Sequence, residues 1–135
     1  MLSKELAYPA LATIVAIIIY LFQSKNVARG RVTYGVSAPK TMGHNDNFDR
    51  ILRVHLNTLE QMPIFLSLLW IFALTISPVY SFVLGIAWSV GRVAYSLGYY
   101  KSAEGRHNLI SYLSDLSGLL LMIGSIIGSV MLLFK

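Results

Sequence analysis

The sequence predicts an all-α integral membrane protein, a bundle of four helices. Of its 135 residues 56% are hydrophobic and only 13% are charged, against roughly 25% charged residues in soluble domains. A soluble domain of this length could not bury so much apolar surface, because the buried fraction rises slowly with size. Four apolar stretches approach the about 20 residues that cross a bilayer as a helix. We therefore expect one transmembrane domain over residues 1–135, with helices at about 6–25, 48–76, 79–100 and 107–134.

The first helix follows Lys4, so it resembles either a signal peptide or a retained span. Its apolar stretch is longer than the hydrophobic part of a usual signal peptide, and basic residues follow it closely. Pro9 falls in its first turns, where proline is tolerated. We expect a retained transmembrane helix, followed by a polar connection over residues 24–47.

The second helix starts polar and becomes apolar. Arg50, Arg53, Asn57 and Glu60 are spaced three, four and three residues apart, so they share a stripe about a third of the circumference wide. Arginines at this depth can extend back to lipid headgroups, and that explanation stays open for Arg50 and Arg53. Asn57 and Glu60 are too short for this, and ionisable groups at depth usually face a bundle interior or cavity. His55 lies well off the stripe.

The third helix follows a tight turn, in which Pro78 suits a helix start. Arg92, Tyr95 and Tyr99 share one of its faces. Tyrosines near a membrane margin are usually belt residues, but their alignment with Arg92 favours a polar groove. Arg106 follows in the next connection.

The fourth helix carries small residues, which let helices approach closely in lipid. They are Ser114, Gly118, Gly124 and Gly128. Asp115 is an acid within this helix, and its partner cannot be identified from the sequence.

The formal net charge of +5 is distributed unevenly. Basic residues concentrate in the first and third connections, so these connections are expected to be cytoplasmic and both termini to lie on the opposite side. Charge spread along one membrane margin argues against nucleic-acid binding. A transporter or channel is disfavoured because no polar face continues through the membrane. The chain has no cysteine, and its three histidines are isolated, so we expect no metal site and no protein thiol chemistry.

The polar residues suit a small ligand with carboxylates and an amine. Arginine binds carboxylates bidentately, glutamate pairs with an ammonium group, and tyrosine hydroxyls orient the ligand. Glutathione has these groups and a thiol whose pKa a nearby arginine can lower.

Two blocks of sequence resemble the MAPEG superfamily, the membrane-associated proteins in eicosanoid and glutathione metabolism. They are "RILRVHLNTLEQMP" and "GRVAYSLGYYKSAEGR". The resemblance implies a homotrimer of four-helix subunits that binds glutathione as co-substrate between adjacent subunits. It implies Arg106 as the catalytic residue that stabilises the thiolate. On matching positions it implies that Arg53, Asn57, Glu60, Tyr95 and Tyr99 bind glutathione, with Arg31 in the first connection as a looser match. Arg50 and His55, which lie in the first block, are the remaining candidate glutathione-binding residues.

The expected function is a membrane glutathione transferase acting on hydrophobic electrophiles or lipids, with glutathione peroxidase activity on lipid hydroperoxides as an additional expectation. His55 and Gln61 depart from the leukotriene synthase branch, which favours general detoxification. The competing function is a non-enzymatic lipid-binding scaffold like the 5-lipoxygenase-activating member, which lacks the arginine that resembles Arg106.

Overall fold

Four long helices make up the described part of the chain. The computed structural model describes residues 3–134, so Met1, Leu2 and Lys135 of the predicted domain lie outside it. The helices are α1 (Ala7–Tyr34), α2 (Asp46–Thr75), α3 (Pro78–Lys101) and α4 (Tyr112–Leu132). A 3-10 turn, Lys4–Leu6, precedes α1, and another, Glu104–Arg106, lies between α3 and α4.

The first helix is longer than predicted. It continues past residue 25 to Tyr34, so part of the predicted polar connection is helical and that boundary was wrong. No proline interrupts this stretch. Gly30 lies inside the helix, and a side chain there would meet Phe48 and Ile51 of α2 at about 3.2 to 3.3 Å. The helix ends at Gly35, whose φ of 66° is left-handed and suits glycine.

The other two connections are short. Ser77 caps α3 by accepting a hydrogen bond from the Tyr80 amide at 3.4 Å, and Pro78 occupies the first turn, as the sequence predicts. The fourth helix begins at Tyr112, later than the predicted residue 107, because the preceding residues form turns. In these turns the Asn108 side chain accepts a hydrogen bond from the Ser111 amide at 2.9 Å.

The bundle has two central helices. Helices α2 and α3 contact each other, and both contact α1 and α4. At their centre the rings of Phe65 and Trp88 stack with centroids 3.8 Å apart. The other buried hydrophobic residues of this core are Ala12, Ala16, Met62, Leu69, Phe72 and Leu121.

Close approach of α4 to α2 depends on two of the small residues singled out in the sequence. A Cβ atom at Gly124 would collide with the Phe72 ring, and one at Gly128 would collide with Thr75. Both contacts confirm the predicted close packing. Gly118 differs, because no atom lies within 4 Å of the place where its Cβ would be.

Three segments of the described chain have the length and composition of a membrane span. They are Lys4–Tyr34, Asp46–Thr75 and Tyr112–Leu132. Helix α3, with 24 residues, is long enough to cross a bilayer but is not among these segments, so the prediction of four spans is met in part. The polar side chains of α3, including Ser81, Ser89 and Arg92, are buried against the other helices. Many large apolar side chains point outward instead, as expected for a protein in lipid.

Candidate functional site

A polar pocket lies where α2, α3 and α4 meet near the connection between α3 and α4. Its volume is about 160 Å³. The lining residues are Asn57, Gln61, Arg92, Tyr95, Arg106, His107, Ser111, Tyr112, Ser114 and Asp115. Two arginines, two tyrosines and several neutral donors therefore converge on one space, a composition suited to an anionic ligand.

The buried charge of this pocket belongs to Arg92, whose side chain is only 2% exposed. Its guanidinium donates to Asn57 Oδ1 at 2.9 Å, to Thr58 Oγ1 at 2.7 Å and to Gln61 Oε1 at 3.5 Å. It also lies 4.4 Å from the centre of the Tyr95 ring. These four partners are neutral, and burial of a charge is costly unless it is paired. The Asp115 carboxylate lines the same pocket and offsets part of the charge, although it forms no salt bridge with Arg92. With Arg106 the pocket still has two arginines against one carboxylate, which favours an anion.

Arg106 approaches the same pocket from the connection. Its guanidinium donates to the Tyr99 hydroxyl at 3.5 Å, and its carbon lies 5.4 Å from the centre of the Tyr99 ring. Its Nε donates to Nε2 of His107 at 3.0 Å. The side chain is half-buried, so it combines access to the pocket with a partly desolvated position, in which its charge acts strongly on a nearby ligand.

The backbone that carries Arg106 is held firmly against α3. A Cβ at Gly98 would collide with the carbonyl oxygen of Gly105, so this approach requires glycine. The Asn108 side chain donates to the Ala94 carbonyl at 3.0 Å, and the Ser111 hydroxyl donates to the Arg106 carbonyl at 2.8 Å. These contacts fix the position of the arginine backbone relative to the α3 tyrosines.

Tyr95, which lines the pocket, and Tyr99, which lies next to it, stack between the two arginines. The ring centres of Tyr95 and Tyr99 are 5.7 Å apart, with Arg92 beside the first ring and Arg106 beside the second. The predicted shared face of Arg92, Tyr95 and Tyr99 is thus confirmed. Arg106 extends the row by one more cation–π contact.

Two predicted ligand residues pair with each other outside the pocket. Arg53 Nη1 lies 3.6 Å from Glu60 Oε1, and the two side chains are 45% and 58% exposed. An exposed ion pair of this kind contributes at most about 1 kcal/mol to stability. Arg53 and Glu60 can therefore separate and pair with charged groups of a ligand at little cost in free energy.

Three further predicted residues lie elsewhere in the structure. Arg31 donates to the carbonyls of Val36 at 3.2 Å and Lys40 at 2.8 Å, so it binds its own connection. Arg50 donates to the Asn47 side chain. His55 stacks on Tyr20 of α1, with ring centres 4.8 Å apart. None of the three lines the polar pocket.

Several pocket residues were given no ligand-binding role from the sequence, Arg92 above all. The available signal was an arginine deep within an apolar helix, which usually faces a bundle interior. Gln61, His107 and Ser111 gave no comparable signal, because their convergence depends on the turns of the connection. Asp115 lines the same pocket, and the described residues form no salt bridge to it. Residues 3–134 contain no cluster of three or more metal-ligating side chains.

Comparison with known proteins gives relatives along most of the chain. An uncharacterized protein of Synechocystis is 43% identical over 128 residues, 94% of this chain and 91% of the relative. Leukotriene C4 synthase of Rattus norvegicus is 30% identical over 105 residues, 78% of this chain and 69% of the synthase. Microsomal glutathione S-transferase 2 of Homo sapiens is 32% identical over 80 residues, 59% of this chain and 54% of the transferase.

The model of the MAPEG family matches residues 9–128, which include α2, α3, most of α1 and α4, and the polar pocket. The resemblance read from the two sequence blocks is thereby confirmed. The chain belongs to the MAPEG family and is a membrane protein with glutathione transferases among its relatives.

Proposed function

We propose that the protein is a membrane glutathione transferase that conjugates the glutathione thiolate to hydrophobic electrophiles. The observation that carries this proposal is the placement of Arg106 beside Tyr99 at the edge of a pocket that contains Arg92. The transferases among the relatives support the same reaction class. The activity of this chain is an inference from these two lines of support.

Arg106 would stabilise the thiolate. A free thiol with a pKa near 8.5 is mostly protonated at neutral pH, and a nearby cation favours its ionised form. The half-buried guanidinium donates to the Tyr99 hydroxyl at 3.5 Å through Nη1 and to His107 Nε2 at 3.0 Å through Nε. Because the bond to Tyr99 is long, Nη1 would turn to a ligand sulfur while Nε keeps its bond to His107. A preorganised donor of this kind is worth on the order of 3 kcal/mol in a transition state.

Asn57 and Tyr95 would hold the polar groups of glutathione inside the pocket, and Tyr99 would do so at its edge, beside Arg106. Arg92 orients Asn57 through the 2.9 Å hydrogen bond and adds positive potential behind it. The carboxylates of the tripeptide would lie toward this buried charge. The role of Arg92 is then positioning and electrostatic attraction, since its donors are largely occupied by neutral partners.

A second copy of the chain would complete the site. The pocket of about 160 Å³ is smaller than the roughly 300 Å³ from which small-molecule sites usually start. Arg53 and Glu60 are exposed on the outer side of α2, where an adjacent subunit could bring a ligand between them. The homotrimer implied by the sequence resemblance would supply such a neighbour, and Arg31 of one subunit would then contribute to the site of another.

The electrophile would arrive through an apolar groove between α2 and α4. This groove has a volume of about 400 Å³ and shares Gln61, Ser114 and Asp115 with the polar pocket. Ile64, Phe65, Leu68, Leu119 and Met122 supply its apolar lining. A hydrophobic substrate in this groove would place its reactive end beside the thiolate, and proximity would supply much of the rate acceleration.

Peroxide reduction is the second activity proposed for the same site. The thiolate would attack the terminal oxygen of a lipid hydroperoxide, which gives an alcohol and a sulfenic derivative of glutathione. A second glutathione would then form the disulfide and release water. The groove that joins the polar pocket favours this activity, because a lipid hydroperoxide would occupy it.

The test is conjugation of glutathione to a chloronitrobenzene electrophile by the purified protein. Arg106→Ala should lower turnover on the order of 100-fold, because the thiolate loses its cation. Lys101→Ala is the matched control, since Lys101 is an exposed basic residue at the end of α3 that does not line the pocket. Equal turnover of Arg106→Ala and the unmodified protein would contradict the assigned role.

The alternative is a non-enzymatic lipid-binding scaffold. The observation that favours it is the size of the apolar groove, which exceeds that of the polar pocket. Binding of a fatty acid without conjugation or peroxide reduction would support the scaffold.

A further inference from the structure

We propose that the side of the bundle formed by α1 and α3 binds an anionic phospholipid, with the headgroup in a polar pocket and one acyl chain in an adjoining apolar groove. This site lies apart from the polar pocket with Arg106, and the proposal goes beyond the conjugation reaction. The two parts are called the headgroup pocket and the acyl groove below.

The headgroup pocket lies between the end of α1, the start of α2 and the end of α3, and its volume is about 300 Å³. Its polar lining consists of Asn26, Arg29, Thr33, Tyr34, Asn47 and Tyr100. None of the described residues that line it is a carboxylate. One cation with amide and hydroxyl donors around it suits a phosphate group, which accepts several hydrogen bonds and carries negative charge.

The acyl groove begins directly at this pocket. Asn26 and Tyr100 line both spaces, and the Asn26 amide donates to the Tyr100 hydroxyl at 3.3 Å between them. Beyond this pair lies a space of about 260 Å³ with Phe22 in its mainly apolar lining, in which the polar side chains of Gln23 and Ser96 are hydrogen-bonded to each other at 2.9 Å. The groove continues to Val15 in a second space of about 400 Å³. The residues common to these two apolar spaces are Ile19, Val93 and Leu97.

The length of the groove matches one leaflet of a bilayer. From Asn26 to Val15 the helix rises by about 16 Å, at about 1.5 Å per residue. Half of a hydrocarbon core of about 30 Å is about 15 Å. The groove therefore runs from the polar margin to the middle of the membrane, as one acyl chain does. A soluble ligand would have no use for such a length of apolar surface.

The charges around the headgroup pocket favour an anionic lipid over a zwitterionic one. Arg29 lines the pocket and is exposed. Lys25 and Lys101 are also exposed and are the sequence neighbours of Asn26 and Tyr100. Each basic residue near a membrane surface strengthens binding to anionic lipid about fivefold. We therefore expect a preference for phosphatidylglycerol over phosphatidylcholine.

The headgroup is tested with protein purified in neutral detergent without glutathione. The protein is titrated with dioleoylphosphatidylglycerol or dioleoylphosphatidylcholine, and bound lipid is counted by native mass spectrometry. We expect tighter binding of the anionic lipid and a loss of about fivefold in Arg29→Gln. Lys40→Gln is the matched control, because Lys40 is exposed and does not line the pocket. Equal binding of both lipids, or no loss in Arg29→Gln, would overturn the proposal.

The groove is tested by filling it. Leu97→Trp should lower the binding of phosphatidylglycerol several-fold, whereas Val83→Trp should not, since Val83 is exposed on α3 and outside the groove. The chain has no cysteine, so Leu97→Cys provides a single thiol. A disulfide between two copies at that position would show that a neighbouring subunit covers the groove. That result would overturn the proposal that the groove binds an acyl chain.

The proposal of a lipid site and the proposal of glutathione conjugation can be refuted independently of each other. Arg106→Ala should leave the count of bound phosphatidylglycerol unchanged, because Arg106 lines neither the headgroup pocket nor the acyl groove. A protein without conjugation activity that still binds the anionic lipid would refute only the proposed reaction.

Discussion

At the end of the bundle that carries the polar pocket, the helices are joined by hydrogen bonds to a buried arginine, whereas at the opposite end glycines let the helices pack directly. Arg92 connects α3 to Asn57 and Thr58 of α2 at the first end. Gly124 and Gly128 bring α4 against Phe72 and Thr75 of α2 at the second. The first arrangement leaves space for a ligand and the second leaves none. The closely packed glycine end thus stabilises the bundle, whereas the arginine end keeps a pocket and is not optimised for stability.

The largest effect on stability is expected at the glycine end. Gly124→Val should lower the free energy of unfolding by about 3 kcal/mol, because its side chain would overlap the Phe72 ring. Unfolding in detergent micelles measures the change. Gly118→Val is the matched control and should change stability by less than about 1 kcal/mol, since no atom lies within 4 Å of that position. If both variants lose the same stability, close packing at Gly124 is not the cause.

A smaller effect is expected at the arginine end. Thr58→Val keeps the shape of the side chain but removes the hydroxyl that accepts from Arg92 at 2.7 Å. Loss of a hydrogen bond to a buried charge should lower the free energy of unfolding by about 2 kcal/mol. Conjugation per folded molecule should fall too, because Arg92 also holds Asn57. Thr41→Val, at an exposed position in the connection between α1 and α2, serves as the control. Unchanged stability and turnover in Thr58→Val would argue against Arg92 as an organising residue.

The smallest effect on stability is expected at the exposed ion pair. Glu60→Gln should change the free energy of unfolding by less than about 1 kcal/mol, because the side chains of Arg53 and Glu60 are 45% and 58% exposed. The KM for glutathione should nevertheless rise several-fold, since a carboxylate that pairs with the ligand ammonium is lost. Steady-state kinetics at varied glutathione measures this rise, with exposed Glu5→Gln as the control. A KM equal to that of the control would remove Glu60 from the proposed site.

The fold could be predicted from the sequence because long apolar stretches and helical spacing are local properties. Periodicity placed Tyr95 and Tyr99 on one face with Arg92, and the small residues at Gly124 and Gly128 indicated close helix packing. Both predictions are confirmed. The sequence predicts the end of α1 too early because a polar composition indicates a loop, whereas the helix continues to Tyr34 and ends at Gly35.

The candidate site was harder to predict, because side-chain partners depend on neighbouring helices. His55 faces Tyr20, and Arg31 binds carbonyls of its own connection. Neither contact has a signal in the spacing of the sequence. The approach of Arg106 to Tyr99 depends on the contact between Gly98 and Gly105. Sequence resemblance indicated the residue, but the geometry that makes it accessible arises only when α3 and the connection come together.

The buried arginine of α3 has a consequence for how the chain enters a membrane. Helix α3 lies outside the three segments with the composition of a span and has Arg92 in its middle, and an arginine at that depth opposes insertion of a helix on its own. Only Ile76 and Ser77 separate it from α2, and its buried arginine donates hydrogen bonds to neutral side chains of that helix. We therefore expect helices α2 and α3 to enter the bilayer together as a helical hairpin, in which Asn57 and Thr58 of α2 accept the hydrogen bonds of Arg92.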